Sequence, residues 1–243
     1  MQKKDETVLK SETKFLNQGL ILNDMGIAVI FDMDGVLVNT IPFHKQAWKA
    51  FCKKYNFEYS EEELNRILPG KTTAHLLRLL FGKDLSEEEI KRLAQEKGEF
   101  YRGFSYKNLE LIKGAVPFLE ELTKNKIPIA IGTSGSPNNV SFIMNNTPLK
   151  NYFEVIVDSS QVTKSKPDPE VFLTAAKKIG AEPKDCIVFE DSLAGIEAAK
   201  RAGMKAIGLT TTHPREELNE ADLVIDDFSE ISLDLIKRFL KQN

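Results

Sequence analysis

The sequence predicts an α/β fold: a parallel sheet with helices on both faces and an all-helical block inserted near its start. Three observations lead there. Short apolar runs of strand length recur at 27–31, 127–131, 153–157, 186–190, 206–209 and 223–225. From residue 115 onward helical patterns separate these runs, so strand and helix alternate in the manner of a parallel sheet covered on both sides. Between the first two runs, residues 32–126 read mostly as helix with no strand, a stretch too long for a loop.

In chain order, residues 1–26 are polar and weakly patterned and read as an N-terminal extension, either a tail or a peripheral helix. The run IAVIF at 27–31 suits a buried strand. Beyond it, Trp48, Phe51, Cys52 and Tyr55 make an i, i+3, i+4, i+7 stripe, and Ser60 with Glu63 and Ser86 with Glu89 fit the capping box that starts helices. Residues 41–106 are therefore expected to form a helical second domain. Residues 39–41 and 107–113 would connect it to a core domain made of 27–40 plus 107–243. The acidic triplets at 61–63 and 87–89 read as first-turn partners of helix dipoles on solvated faces. In the core, Val171, Phe172, Ala175, Ala176 and Ile179 share one helical face before Gly180, and Ile196 and Ala199 belong to a segment that stops at Gly203.

Composition narrows the function. The 243 residues include 33 Lys plus Arg and 36 Asp plus Glu, for a net charge of −3 without any long basic cluster. The electrostatic footprint of a nucleic-acid binder is missing, and small substrates are favoured. With 42% apolar and 28% charged residues, disorder is not the default. No apolar run approaches the roughly 18 residues of a membrane span, and the first residues lack a secretory h-region. A cytoplasmic monomer with no membrane partner is the expectation. Cys52 and Cys186 have no metal or disulfide spacing and read as small buried hydrophobes.

In open α/β sheets ligands bind beyond the carboxyl ends of the strands. Four run ends here carry polar residues of compatible chemistry: Asp32-Met33-Asp34-Gly35, Thr133-Ser134-Gly135, Lys166 in Lys-Pro-Asp-Pro, and Glu190-Asp191-Ser192. Singly, each has a plain structural reading, as a turn, a strand-end cap, a turn before a helix and an N-cap. Together they supply what phosphoryl transfer requires, since positioning and charge neutralisation provide most of its acceleration. Oxygen ligands without His or Cys suit Mg²⁺, with Asp32, Glu190 and Asp191 as candidates, and Lys166 would neutralise the remaining oxyanion charge. Asp32 and Asp34, two residues apart on an extended segment, would divide the work. One carboxylate would attack phosphorus, and the other would protonate the leaving oxygen and later activate water. Gly35 would let the chain turn away, and Thr133 with the N–H groups of Ser134 and Gly135 would hold the phosphate.

The motifs FDMDGVLVNT, IAIGTSGS, KSKPDPEVF and IVFEDSLAGIEAA, in this order within about residues 27–226, resemble those of the haloacid dehalogenase superfamily, in particular its phosphoglucomutase-like branch of small-molecule phosphatases. The resemblance implies a Rossmann-like three-layer α/β/α core under a mobile helical cap. It also implies Asp32 as nucleophile, Asp34 as general acid/base with its backbone carbonyl on Mg²⁺, Thr133 and Lys166 as phosphate ligands, and Glu190 and Asp191 as metal ligands. In the sugar phosphomutases of this branch a Thr and a His follow the first motif, and Thr40 and His44 hold those positions. His44 would orient Asp34 or bind substrate, or else pack near Trp48 as an ordinary cap residue. The arginine with which those mutases hold a second phosphate is missing from Gly70-Lys71-Thr72-Thr73, where Lys71 could supply charge without a bidentate fork. Asn39 replaces the family's usual aspartate.

The expectation is thus a Mg²⁺-dependent phosphohydrolase acting through an aspartyl-phosphate on a small phosphorylated metabolite, a sugar phosphate. A phosphomutase using the same nucleophile is the alternative. A signalling receiver shares some of this chemistry but is about half as long and carries no cap. A non-catalytic binding protein would have no use for the intact pair Asp32 and Asp34.

Overall fold

A computed structural model describes residues 26–60, 62–64, 72–82 and 84–241. Strands β1 (Ala28–Phe31), β2 (Ile129–Gly132), β3 (Ile156–Val157), β4 (Cys186–Glu190), β5 (Lys205–Leu209) and β6 (Leu223–Ile225) form one parallel sheet in the order β3-β2-β1-β4-β5-β6. The chain leaves β1 toward β2 on one side and later returns to β4 on the other. The switch point of the sheet therefore lies at the carboxyl end of β1.

Alternation along β1 sorts the core into two unlike layers. Val29 and Phe31 face an aromatic layer in which Phe31 stacks on Phe189 at 5.1 Å and meets Phe118 and Phe153 edge-on. That layer is covered by α4 (Ala115–Lys124), α5 (Pro137–Asn146) and α8 (Leu233–Lys241). Ala28 and Ile30 face the opposite layer, where α6 (Glu170–Lys178) and α7 (Leu193–Arg201) bring Ala175, Ala176, Ala198 and Ala199 against the sheet. Small residues there let the two helices sit close against the sheet.

Between β1 and α4 the chain forms α1 (Ile41–Lys54), α2 (Thr73–Phe81) and α3 (Glu87–Ser105), an inserted all-helical cap with its own apolar centre of Trp48, Phe51, Leu76, Leu77, Ile90 and Leu93. The Ser86–Glu89 capping box opens α3 as the spacing predicts, and Ser60 and Glu63 exchange the same pair of bonds. Cap and core are joined by two antiparallel connections: Asn39 N–H donates to the Glu110 carbonyl at 2.9 Å and Ile112 N–H to the Leu37 carbonyl at 3.0 Å.

Two strands differ from the sequence reading. The run expected at 127–131 pairs only from Ile129, because Pro128 has no N–H to donate. The run expected at 153–157 shrinks to Ile156–Val157, because the 3₁₀ turn Pro148–Asn151 draws Phe153 N–H back to the Leu149 carbonyl. Cys52 and Cys186 are free and buried, as expected. Among the described residues no helix is long and apolar enough to cross a membrane.

Candidate active site

The four polar segments meet at the carboxyl ends of β1, β2 and β4. Asp32 follows β1 directly and is fixed by its N–H bond to the Phe189 carbonyl at 2.9 Å. From the loop after β3, Lys166 donates to Asp32 Oδ1 at 2.7 Å and lies 3.4 Å from Glu190 Oε1, with its ammonium 4.6 Å from the centre of the Phe172 ring. Asp32, Glu190 and Asp191 each offer a carboxylate oxygen, all within 4.8 Å of one another, and all three side chains are buried. Three buried carboxylates against one ammonium leave negative charge uncompensated, a donor set that fits a hard divalent cation.

The electrostatics follow from that crowding. Burial, then the neighbouring charges of Glu190 and Asp34, push the Asp32 carboxyl up to about 7 despite Lys166. Asp191 is likewise raised, first by burial and then by Glu190 and Asp32. Burial works against the charged form of Lys166, but the carboxylates of Asp32 and Glu190 outweigh it and hold the ammonium protonated.

Glu190 reaches the cluster because α7 has a glycine where its carboxylate lies. A Cβ at Gly195 would fall on the Glu190 side chain. Ser192 serves in two ways, capping α7 through Gly195 N–H at 3.1 Å and donating to Glu190 Oε1 at 2.6 Å. Gly35, at φ +80°, makes the turn after Asp34, and a Cβ there would fall on the Asp191 carboxylate.

Asp34 points elsewhere. Its Oδ1 accepts from Thr40 Oγ1 at 2.6 Å and faces His44 Nε2 at 3.3 Å, while its Oδ2 lies toward Gly135 of the loop after β2. Burial alone would raise this carboxyl, but the bonds from His44 and Thr40 hold it below the ordinary carboxylate range. His44 therefore orients Asp34, and it also stacks on Tyr101 at 4.1 Å. Behind it stands a residue that the sequence reading missed, Lys97 of α3, whose Nζ is 2.7 Å from His44 Nδ1. A carboxylate oxygen can only accept, so His44 carries its proton on Nε2 and takes a hydrogen bond from Lys97 on Nδ1. Lys97 is buried between Trp48 and Tyr101, and burial brings its ammonium down to about 7. His44 is lowered by burial and by the Lys97 charge.

In the loop after β2, buried Thr133 is held by its N–H bond to the Val157 carbonyl at 2.9 Å. The Gly135 N–H, expected to face phosphate, instead donates to Thr133 Oγ1 at 2.9 Å. The loop closes on itself as a small turn, which leaves the Ser134 N–H without a protein acceptor among the described residues. Thr72 caps α2 by accepting from His75 N–H. Lys71 lies outside the described residues.

A buried acid cluster with one lysine, set at the switch point of a doubly wound sheet under a helical cap, defines an enzyme of the phosphoryl-transfer class. Comparison with known proteins agrees: the family model for haloacid dehalogenase-like hydrolases matches residues 29–209. The chain is similar to β-phosphoglucomutase of Bacillus subtilis (strain 168), 33% identical over 86% of this chain and 93% of that one. It is also similar to the phosphorylated carbohydrates phosphatase of Thermotoga maritima, 36% identical over 74% and 83%. Among solved structures, a family IA, variant 3 hydrolase of Entamoeba histolytica superposes with a TM-score of 0.83 at 33% identity, covering 89% of this chain and all of that one. The chain belongs to the haloacid dehalogenase-like hydrolase family, and it is a phosphatase or phosphomutase.

Lys97 gives the first testable consequence. Its folded value near 7 lies below the roughly 10.4 of an unfolded lysine. Below pH about 7 both states hold the proton and the full cost of burying the ammonium is present; between about 7 and 10 only the unfolded chain holds it, so stability rises with pH. Lys97→Met is expected to melt above the wild type at pH 6, with the difference shrinking toward pH 9. Its turnover should fall on the order of tenfold or more, because His44 loses the partner that orients it toward Asp34. Melting curves at several pH values, run beside rate measurements on p-nitrophenyl phosphate, check both. A constant difference in melting temperature across that pH range would contradict the assignment of Lys97.

Proposed function

We propose that this protein is a Mg²⁺-dependent phosphohydrolase that acts on a small phosphorylated sugar or sugar-like metabolite through an aspartyl-phosphate at Asp32. The observation that carries the reading is the division of labour between the two aspartates. Asp32 lies in the acid cluster against Lys166, while Asp34 is turned out of it and held by Thr40 and His44. A cation held in the cluster would keep Asp32 charged as the nucleophile, and Asp34, apart from the cluster and bonded to His44, is placed to exchange a proton.

Asp32, Glu190 and Asp191, with the backbone carbonyl of Asp34, would hold the Mg²⁺. The cation would supply positive charge to the phosphoryl oxygens. A carboxylate oxygen of Asp32 attacks phosphorus, and the bond from phosphorus to the substrate oxygen breaks. Asp34 is a carboxylate at rest, and the negative charge of the bound substrate phosphate would raise its carboxyl so that it takes up a proton, which it gives to that oxygen as the alcohol leaves. Asp34, now a carboxylate, takes a proton from water, whose oxygen attacks phosphorus; the bond to Asp32 breaks, releasing phosphate and restoring the enzyme. Lys166, Thr133 and the Ser134 N–H bind the phosphoryl oxygens throughout. Residues 41–106 act as the cap, which excludes bulk water and brings Lys97 to His44.

The names of the relatives support a carbohydrate-like substrate. The test is phosphate release with Mg²⁺ over a panel of sugar phosphates, phosphoglycolate and pyrophosphate, with glucose 1-phosphate followed in parallel for glucose 6-phosphate. Fast phosphate release from a sugar phosphate is expected. Glucose 6-phosphate with little free phosphate would replace hydrolysis by the mutase reading, with Lys71 or another cap cation in the role of the missing arginine.

A further inference from the structure

We propose that Thr212, on the loop leaving β5, is a positioning residue that sets the orientation of Asp191 and so the affinity of the acid cluster for a divalent cation. The inference rests on the reading of Asp191 as a metal ligand.

The loop after β5 reads Thr210-Thr211-Thr212, and each hydroxyl has a partner. Thr210 Oγ1 donates to Asp226 Oδ1 at 2.7 Å, and its N–H bonds the Ile225 carbonyl, which ties the base of the loop to the end of β6. Thr211 Oγ1 donates to the Gly35 carbonyl at 2.6 Å, bracing the turn that follows Asp34. Thr212 Oγ1 donates to Asp191 Oδ2. The loop thus touches both halves of the site, the turn after β1 and the carboxylate after β4, which are separated in sequence by more than the whole cap.

The chemistry explains why a hydroxyl stands there. Asp191 is buried beside Asp32 and Glu190, and like charge would swing its carboxylate away from the cluster. A lysine could hold it but would neutralise the group and compete with a cation. A threonine hydroxyl holds one oxygen through a hydrogen bond, adds no charge, and leaves Oδ1 with no protein donor among the described residues. The space confirms the fit. A Cβ at Gly35 would fall on the Asp191 carboxylate and lie 3.2 Å from Thr212 Oγ1, so turn, carboxylate and hydroxyl pack as one unit.

Thr212→Val replaces the hydroxyl by a methyl of similar size, Thr212→Ser keeps it, and Thr212→Ala only removes atoms should valine not fit. The readouts are the Mg²⁺ concentration that half-saturates the rise in melting temperature of the full chain and the Mg²⁺ concentration that half-saturates p-nitrophenyl phosphate turnover, with Asp191→Asn as reference. Thr212→Val and Thr212→Ala are expected to raise both about ten- to a hundredfold, the range for removal of a partner behind a metal ligand, and Thr212→Ser to stay near the wild type. Unchanged half-saturation in the valine and alanine variants, with the Mg²⁺ response lost in Asp191→Asn, would overturn this inference and leave the metal reading standing. No Mg²⁺ response in the wild type would overturn the metal reading and this inference with it.

Discussion

Asp32→Asn is expected to abolish turnover and yet to stabilise the metal-free protein. Loss of a covalent nucleophile that no neighbour can replace costs on the order of 10⁴- to 10⁶-fold in rate, and Asp34, occupied by Thr40 and His44, is not placed to take over. The stability change comes from the cluster itself. The Asp32 carboxyl is held near 7 in the fold, against about 3.9 in an unfolded chain. The folded state therefore keeps a proton that the unfolded state loses above pH about 4, and this contribution is full below that pH and lost as pH rises through 7. At pH 8 Asp32 of the metal-free wild type is ionised beside Glu190 and Asp191, and the asparagine variant lacks that charge while still offering an oxygen to Lys166. In EDTA at pH 8 the variant should melt higher, by on the order of 2 kcal/mol of stability, and the gap should narrow at pH 5.5. Mg²⁺ should stabilise the wild type more than the variant. Residual turnover within tenfold of the wild type would exclude Asp32 as nucleophile.

What the sequence made legible was the part of the site written at strand ends. Alternating strands and helices fix a parallel sheet, ligands gather at its carboxyl edge, and the polar residues following four apolar runs were bound to meet there. Asp32, Lys166, Glu190 and Asp191 do meet, the loop of Thr133 and Gly135 lies beside Asp34, and Thr40 and His44 come to Asp34. What escaped depends on contacts between elements distant in sequence. Lys97 lies 53 residues from His44, among the other charged residues of α3. Its signal was its register: Ile90, Leu93, Lys97 and Tyr101 follow one stripe of α3, so a cation stands on the buried face. Thr211 and Thr212 escape because hydroxyls after the fifth run carry no charge that marks them for a site, and they act only through Gly35 and Asp191, far away in sequence. The turned-in Gly135 N–H was illegible for another reason, since whether a backbone donor faces a ligand or its own loop depends on torsion angles that spacing does not specify.

Lys166→Met should damage both activity and stability, with the two losses differing in their dependence on metal. The ammonium is the protein's own counter-charge to Asp32 and Glu190, and it is buried with them. Removing one member of a buried ion pair costs about 3–5 kcal/mol, because the charge left behind has lost water and partner together. Protons can relieve that cost at low pH: without Lys166 the Asp32 carboxyl rises further and stays neutral. The variant should therefore be near the wild type at pH 5 and clearly weaker at pH 8 in EDTA. Methionine keeps the length of the side chain and its contact with Phe172, so packing is not the cause of the loss. Turnover should fall on the order of 10²- to 10³-fold even with saturating Mg²⁺, since the cation cannot stand in for a donor aimed at the transferring phosphoryl group. Lys166→Arg would restore charge without fitting the planar guanidinium between Asp32 and Glu190, so it should recover stability in EDTA better than it recovers rate. Wherever Asp32 is ionised, the cluster of the methionine variant lacks the one buried ammonium that repels a cation there. Mg²⁺ should accordingly raise its melting temperature by a larger increment than it raises that of the wild type, measured at pH 8 over the same titration. Equal increments would mean that the divalent cation and Lys166 do not share a field, and that Asp32, Glu190 and Asp191 are not where the metal binds.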